Sequence, residues 1–320
     1  MCDIDVVGGL MDTTLPLVSI ACITYNHEKY IRQCLDGFVM QQTNFKFEIV
    51  IHDDASTDKT AEIIKEYCRK YPGLFKPILQ DKNRYTEKKG ILIPYVYPRC
   101  KGKYIALCEG DDYWIDPLKL QKQVDFLEEN SEYSLIYSRA VVVDENSNSI
   151  KKSVSGITGN ISKHLILKYN PIVTATVCYR KEYLQEYYKF YSVFNFKLKM
   201  GDYPLWVFLS LKGKFKYLAD ICAAYRVLEN SASHSSNPQK ALAFRFNRYQ
   251  ISVFMNDYYG MGLKKERILR NYMKERVKAV FSYDLKVFVK TYKEALIKCP
   301  WLLFDLKVQI MAMMKVFKIK

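Results

Sequence analysis

Three carboxylates fall within four residues at Glu109-Gly110-Asp111-Asp112. Placed at the end of the apolar run 104–108, they repel one another and need a positive partner. A hard divalent cation supplies one, since Mg²⁺ or Mn²⁺ is commonly held by one or two carboxylates together with phosphate oxygens. The same residues also suit an acidic turn ahead of a helix that opens at Pro117. A second acidic pair, Asp53-Asp54, followed by Ala55-Ser56, closes another apolar run. A carboxylate so placed accepts hydrogen bonds from ribose hydroxyls or a base imide, or else caps the helix after Asp58. The loop Thr24-Tyr25-Asn26-His27-Glu28 adds backbone amides, a hydroxyl and an aromatic face suited to a nucleotide.

These clusters must be positioned by the elements around them. Apolar, β-branched runs at 17–23, 45–51, 74–79 and 104–108 read as strands. Between them, 30–40 has Tyr30, Ile31, Cys34, Leu35 and Phe38 on one helical face, and 58–70 has Ala61, Ile64, Tyr67 and Cys68. The spacing predicts a further helical stretch over 87–99, disturbed by Pro94 and Pro98, and another over 118–129. Such alternation implies an α/β fold: a mostly parallel sheet with helices on both faces. Ligands bind beyond the C-terminal strand ends of such sheets, so the clusters at 24–28, 52–56 and 109–112 should meet on one rim. Farther on, 134–144, 173–179 and 215–226 read as strands and 202–211 as a helix. From residue 241 the pattern is helical almost to the end.

Taken together, the segments around Thr24-Tyr25-Asn26, His52-Asp53-Asp54-Ala55-Ser56-Thr57-Asp58 and Glu109-Gly110-Asp111-Asp112 resemble the family-2 glycosyltransferases. The resemblance covers about residues 16–230 and is closest to bacterial enzymes building surface polysaccharide or lipopolysaccharide. It implies a GT-A fold and an inverting transfer from a nucleotide-diphosphate sugar, UDP foremost, to a glycan or lipid-linked acceptor. It further implies that Asp53 and Asp54 hold the base and ribose, with Thr24, Tyr25 and Asn26 as the opposite wall and Arg84 nearby. Glu109 and Asp111 match the metal-binding DxD motif, with Asp112 beside them at the donor sugar and phosphates; Glu stands where the family usually has Asp. Gly201-Asp202-Tyr203-Pro204-Leu205-Trp206 matches the segment bearing the catalytic base, so Asp202 is the expected base and Trp206 a donor-side residue. Arg226 and the loop through His234 match a segment that folds over the pyrophosphate, with Arg226 on phosphate charge and His234 completing a Mn²⁺ or Mg²⁺ shell.

The net charge of +15 is uneven: residues 241–320 hold 17 Lys and Arg against 6 Asp and Glu. That bias, interleaved with aromatic and aliphatic residues, points to an anionic membrane surface as partner. The competing reading is a basic nucleic-acid- or membrane-binding protein without transferase activity. The acidic rim opposes nucleic acid, whose phosphates it would repel. Nine cysteines without a CxxC pair suggest reduced, buried thiols in the cytoplasm. Acidic Asp3 and Asp5 argue against a basic-then-apolar leader. No run of 18 uncharged apolar residues occurs, so the expectation is a peripheral protein on the inner face of the cytoplasmic membrane. The expected division is a tail at 1–15, a catalytic domain at 16–238 (nucleotide half about 16–130, acceptor half about 131–238) and a helical extension at 239–320.

Overall fold

The computed structural model describes residues 15–85, 87, 90–151, 161–228, 235 and 237–317. Its first half follows the apolar pattern: β1 (Val18–Thr24), α1 (Ile31–Val39), β2 (Phe47–Asp53), α2 (Thr60–Lys70), β3 (Phe75–Leu79) and β4 (Tyr104–Glu109). In α1, Ile31, Cys34, Leu35 and Phe38 are buried at three- and four-residue spacing, so one stripe faces the sheet. The strands are apolar on both faces because both are covered. Ala21, Val50, Ile105 and Leu107 enter one core, and Ile20, Cys22, Ile49, Ile51, Ala106 and Cys108 the other.

The nine strands form one sheet in the order β3-β2-β1-β4-β8-β6-β9-β5, with β7 added on β6. The chain runs outward through β1, β2 and β3, then returns to lay β4 along the free flank of β1. That reversal opens a crevice beyond the C-terminal ends of β1 and β4, the switch point where open α/β sheets bind ligands.

The second half contains β5 (Tyr113–Trp114), α3 (Lys119–Glu129), β6 (Tyr133–Val143), β7 (Ser149–Lys151) and α4 (Lys163–Ile166). It continues with β8 (Cys178–Arg180), α5 (Leu184–Tyr191), α6 (Asp202–Leu209) and β9 (Lys214–Arg226). The continuous parallel block ends at β4: β8 runs antiparallel to β4 and β6, β6 and β9 are parallel, and β5 is antiparallel to β9. The helix expected over 87–99 is instead a π-helical turn at Leu92–Val96 and a 3₁₀ turn at Tyr97–Arg99. Pro94 and Pro98 lack the amides that a regular helix needs there. The strand expected over 173–179 begins as a 3₁₀ turn, Thr174–Thr176, and only Cys178–Arg180 pairs.

The C-terminal helices are α7 (Pro238–Tyr258), α8 (Lys265–Ala279), α9 (Leu285–Lys298) and α10 (Leu306–Phe317). A 3₁₀ turn at Pro300–Phe304 joins the last two. The expected boundary at 238/239 coincides with the start of α7. That helix nevertheless joins the sheet's core through Ile251 and Met255. A separate small core holds Met273, Val277, Phe288, Ala295, Leu302 and Val308. Among the described residues, no helix is long and apolar enough to cross a membrane. All eight described cysteines are free thiols, and all but Cys68 are buried.

Candidate active site

The rim is assembled by loops that bind each other. After β1, Asn26 takes a positive φ of 54° and its Oδ1 accepts from the amide of Thr57 at 2.8 Å, while its own amide donates to Ser56 Oγ at 2.8 Å. The amide of Glu28 donates to Asp58 Oδ2 at 3.0 Å, and Glu28 Oε2 accepts from the amide of Lys59 at 3.0 Å. The loops after β1 and β2 are therefore laced from both sides. Asn26 lies within this lacing, and Tyr25 next to it stays exposed.

Asp53 and Asp54 are buried. Asp53 accepts from the amide of Ser56 at 3.1 Å and from its hydroxyl, which closes the turn around Ala55. Asp54 Oδ1 accepts from the amide of Arg84 at 2.7 Å. Arg84 does lie beside this pair, but through its backbone. Its guanidinium pairs with Glu87 at 3.0 Å and Asp81 at 3.7 Å.

The acidic turn lies directly on the end of β1. A Cβ on Gly110 would come within 2.6 Å of Thr24 Oγ1 and 3.0 Å of His27 Nδ1, so only glycine allows this approach. Thr24 is accordingly buried against the turn and does not form an open wall. Glu109 and Asp111 retain solvent access, and among the described residues neither carboxylate is paired with a Lys or Arg. Enclosure in the cleft, then Asp111, then Asp202 push the Glu109 carboxyl up to about 8. The sequence-distant Asp202 thus shares the electrostatic site of the acidic turn.

Asp202 opens α6, and its Oδ2 faces Asn170 Nδ2 at 3.4 Å and Thr174 Oγ1 at 3.3 Å. Burial raises its carboxyl, and nearby amides, Thr174 and the Trp206 indole partly offset that rise. A raised carboxylate is a stronger base than an ordinary aspartate.

Three expected site residues are buried and engaged with the protein itself. Asp112 is buried and aims inward, where its Oδ1 accepts from the amide of Arg226 at 2.8 Å; burial and the neighbouring carboxylates push its acid well up. It fixes the turn to β9. Arg226 is 2% exposed and fully engaged. Its guanidinium donates to the carbonyls of Asp111, Asp144 and Glu145, to Ser147 Oγ and to Gln33 Oε1, between the rings of Tyr30 and Tyr113. It is a clamp beneath the turn. Trp206 is fully buried, edge-on to Tyr179 at 6.0 Å, one helical turn inside the core from Asp202. It supports α6, and its indole lies close enough to Asp202 to lower that carboxyl. His234 lies outside the described residues.

Sequence reasoning missed Asn170 and Thr174, which precede α6 by about thirty residues and carry no local signal. It also missed Tyr85, 64% exposed and close enough to feel the charge of Glu109. The large groove of about 1,090 Å³ lies elsewhere, at the starts of β1, β2 and β4 near Leu17, Lys46 and Lys103. It is at the wrong end of the strands for this chemistry.

The residues present fit a divalent cation in chemistry: oxygen donors and excess negative charge that no Lys or Arg side chain pairs with among the described residues. Among the described residues, no three His, Cys, Asp or Glu side chains converge closely enough to hold an ion alone. The remaining ligands would then have to come from a bound phosphate and water, as is common for Mg²⁺.

A sheet of this order, with acidic turns at its switch point, defines a GT-A-type α/β domain. The Glycosyl transferase family 2 profile matches residues 19–193, more than half of the chain, and the chain belongs to that family of enzymes. An uncharacterized protein of Mycobacterium bovis is 36% identical over 222 residues, covering 68% of this chain and 61% of that protein. The chain therefore matches about three fifths of the length of that curated relative. Among solved structures, S. aureus TarS 1–349 in complex with UDP-GlcNAc superposes with a TM-score of 0.60 at 19% identity, over 90% of this chain and 83% of that one. Mannosyltransferase PcManGT from Pyrobaculum calidifontis, in complex with GDP-Man and Mn²⁺, gives 0.53 at 14% identity, over 96% and 88%. These two show the shared fold.

Proposed function

We propose that this chain is an inverting glycosyltransferase that moves a sugar from a nucleotide diphosphate, UDP foremost, to a hydroxyl of a glycan or lipid-linked acceptor. The observation that carries it is an acidic turn, Glu109 and Asp111, at the switch point, close enough to Asp202 for its charge to act on Glu109, with no cationic side chain paired to them among the described residues. The neighbours bound to UDP-GlcNAc and to GDP-Man with Mn²⁺ support a nucleotide-sugar donor and a divalent ion.

The nucleoside lies across the laced loops. Asp54 has one carboxylate oxygen fixed by the Arg84 amide and presents the other to ribose or base, with Asp53 and the exposed ring of Tyr25 beside it. Asp111, with Glu109, would hold Mn²⁺ or Mg²⁺, which would supply Lewis-acid neutralisation of charge on the departing diphosphate. Asp202 takes the proton from the acceptor hydroxyl as that oxygen attacks the anomeric carbon. One displacement with one base inverts the configuration.

The test is a thermal-shift screen of UDP-, GDP- and dTDP-sugars, each with Mn²⁺ and with EDTA. The expected result is stabilisation by one nucleotide class that EDTA removes and Asp111→Asn abolishes. If no nucleotide sugar stabilises or is turned over with either metal, the reading fails.

A further inference from the structure

The last three elements carry an apolar surface that their own folding does not bury. In α10, Val308 and Ala312 face the small C-terminal core, yet the opposite side carries Leu306, Ile310 and Met313, all exposed. Their spacing of four and three residues places them on one helical stripe, where a solvated helix would carry polar side chains. The preceding turn continues it. Leu302 is fully buried, whereas Trp301 and Phe304 are 67% and 77% exposed, with ring centroids 6.1 Å apart. Ile297, at the end of α9, is exposed as well.

This surface is bordered by free cations. Lys286, Lys290, Lys293 and Ile297 fall at i, i+4, i+7 and i+11, so the exposed stripe of α9 is a row of lysines that ends at the apolar patch. Lys298 and Lys307 lie within the patch sequence and are exposed. Among the described residues, none of these lysines forms an ion pair.

We propose that the face formed by Trp301, Phe304, Leu306, Ile310 and Met313, with its lysine border, docks on an anionic lipid surface. An apolar ridge with an aromatic pair suits the boundary between headgroups and acyl chains, and the lysines match anionic headgroups. A second copy of the chain would cover the apolar ridge but would bring the same lysines against each other. Nucleic acid would use the lysines and leave the ridge in water. This inference does not rest on the transferase reading, because lipid binding is measured without a sugar donor.

The protein contains its own probe. Of the three tryptophans, Trp114 and Trp206 are buried, so a change in emission on adding vesicles reports Trp301. With phosphatidylcholine–phosphatidylglycerol vesicles at low salt, the full chain should co-float and its emission should shift to the blue. Pure phosphatidylcholine should give much less of both, and high salt should weaken both. Trp301→Phe should remove the blue shift and keep flotation. The triple change Trp301→Ser, Phe304→Ser and Leu306→Ser should lower the bound fraction about tenfold, with unchanged circular dichroism and melting temperature. Absence of flotation and blue shift on the anionic vesicles overturns the proposal. So does a dimer in sedimentation that the triple change disperses, or salt-sensitive DNA binding without flotation.

Discussion

The crevice at the strand ends and the outer face of α9 and α10 solve opposite problems. At the crevice, Asp53, Asp112 and Arg226 are buried and hydrogen-bonded, and Asn26 and Glu28 are tied into the loop lacing, whereas Glu109, Asp111 and Asp202 retain solvent access and pair with no cationic side chain among the described residues. On the outer face, large apolar side chains stand in water and lysines lack partners. Excess negative charge held rigidly asks for a cation and its ligand. Excess apolar surface with a basic border asks for a soft, extended partner. The comparison separates chemistry from attachment, and each half can be broken without the other.

The largest effect should come from Asp202→Asn, which removes the proposed base and leaves the helix start intact. A loss of kcat of about 10²–10⁴-fold is expected in a radiolabelled sugar-transfer assay, with nucleotide-sugar stabilisation and vesicle binding retained. In the parent enzyme, the acid limb of kcat/KM should fall above the usual aspartate range, since burial raises this carboxyl. The sign for stability follows from the same shift. A raised folded value means that the folded state binds the proton more tightly, so stability falls as pH rises through that window. Asp202→Asn should therefore melt higher than the parent at neutral pH; a lower melting temperature would count against a raised carboxyl.

Next in size is Arg226→Ala, which takes donors from the carbonyls of Asp111, Asp144 and Glu145 and from Gln33 Oε1, and a buried positive charge from Asp112, whose bond to the amide of residue 226 survives. A destabilisation of about 3–5 kcal/mol by urea denaturation is expected. If Arg226 instead gripped phosphate, stability would hold and only donor affinity would drop. Gly110→Ala should cost about 1–3 kcal/mol by overpacking against Thr24 and should weaken nucleotide-sugar stabilisation. The smallest effect belongs to the other region. Leu306→Ser with Met313→Ser should stay within about 0.5 kcal/mol of the parent in the same denaturation experiment, because both side chains are more than half exposed.

The sequence made the rim legible because each polar cluster directly follows a long apolar run, and strand ends of one parallel block must lie together. It did not reveal which way each side chain turns there. Asp111 and Asp112 are neighbours, yet one faces the cleft and the other the clamp, a choice made by β9 more than one hundred residues later. Trp206 is a second case: its position in α6 places it inward, and motif spacing does not record facing. The strands β5, β7 and β8 have two or three residues each, too few for an alternating pattern to show. In α10 the helix itself was readable, but an apolar residue on an exposed face looks the same in sequence as one in a core.

The clamp has a kinetic consequence. Arg226 joins α1 through Gln33, the acidic turn through Asp111, the segment after β6 through Asp144 and Glu145, and β9 through its own backbone. Four stretches far apart in the chain then share one latch, and none can open while the others stay closed. Their amides should exchange with deuterium as a single cooperative unit, with one common opening rate; separate rates would show that the latch does not couple them.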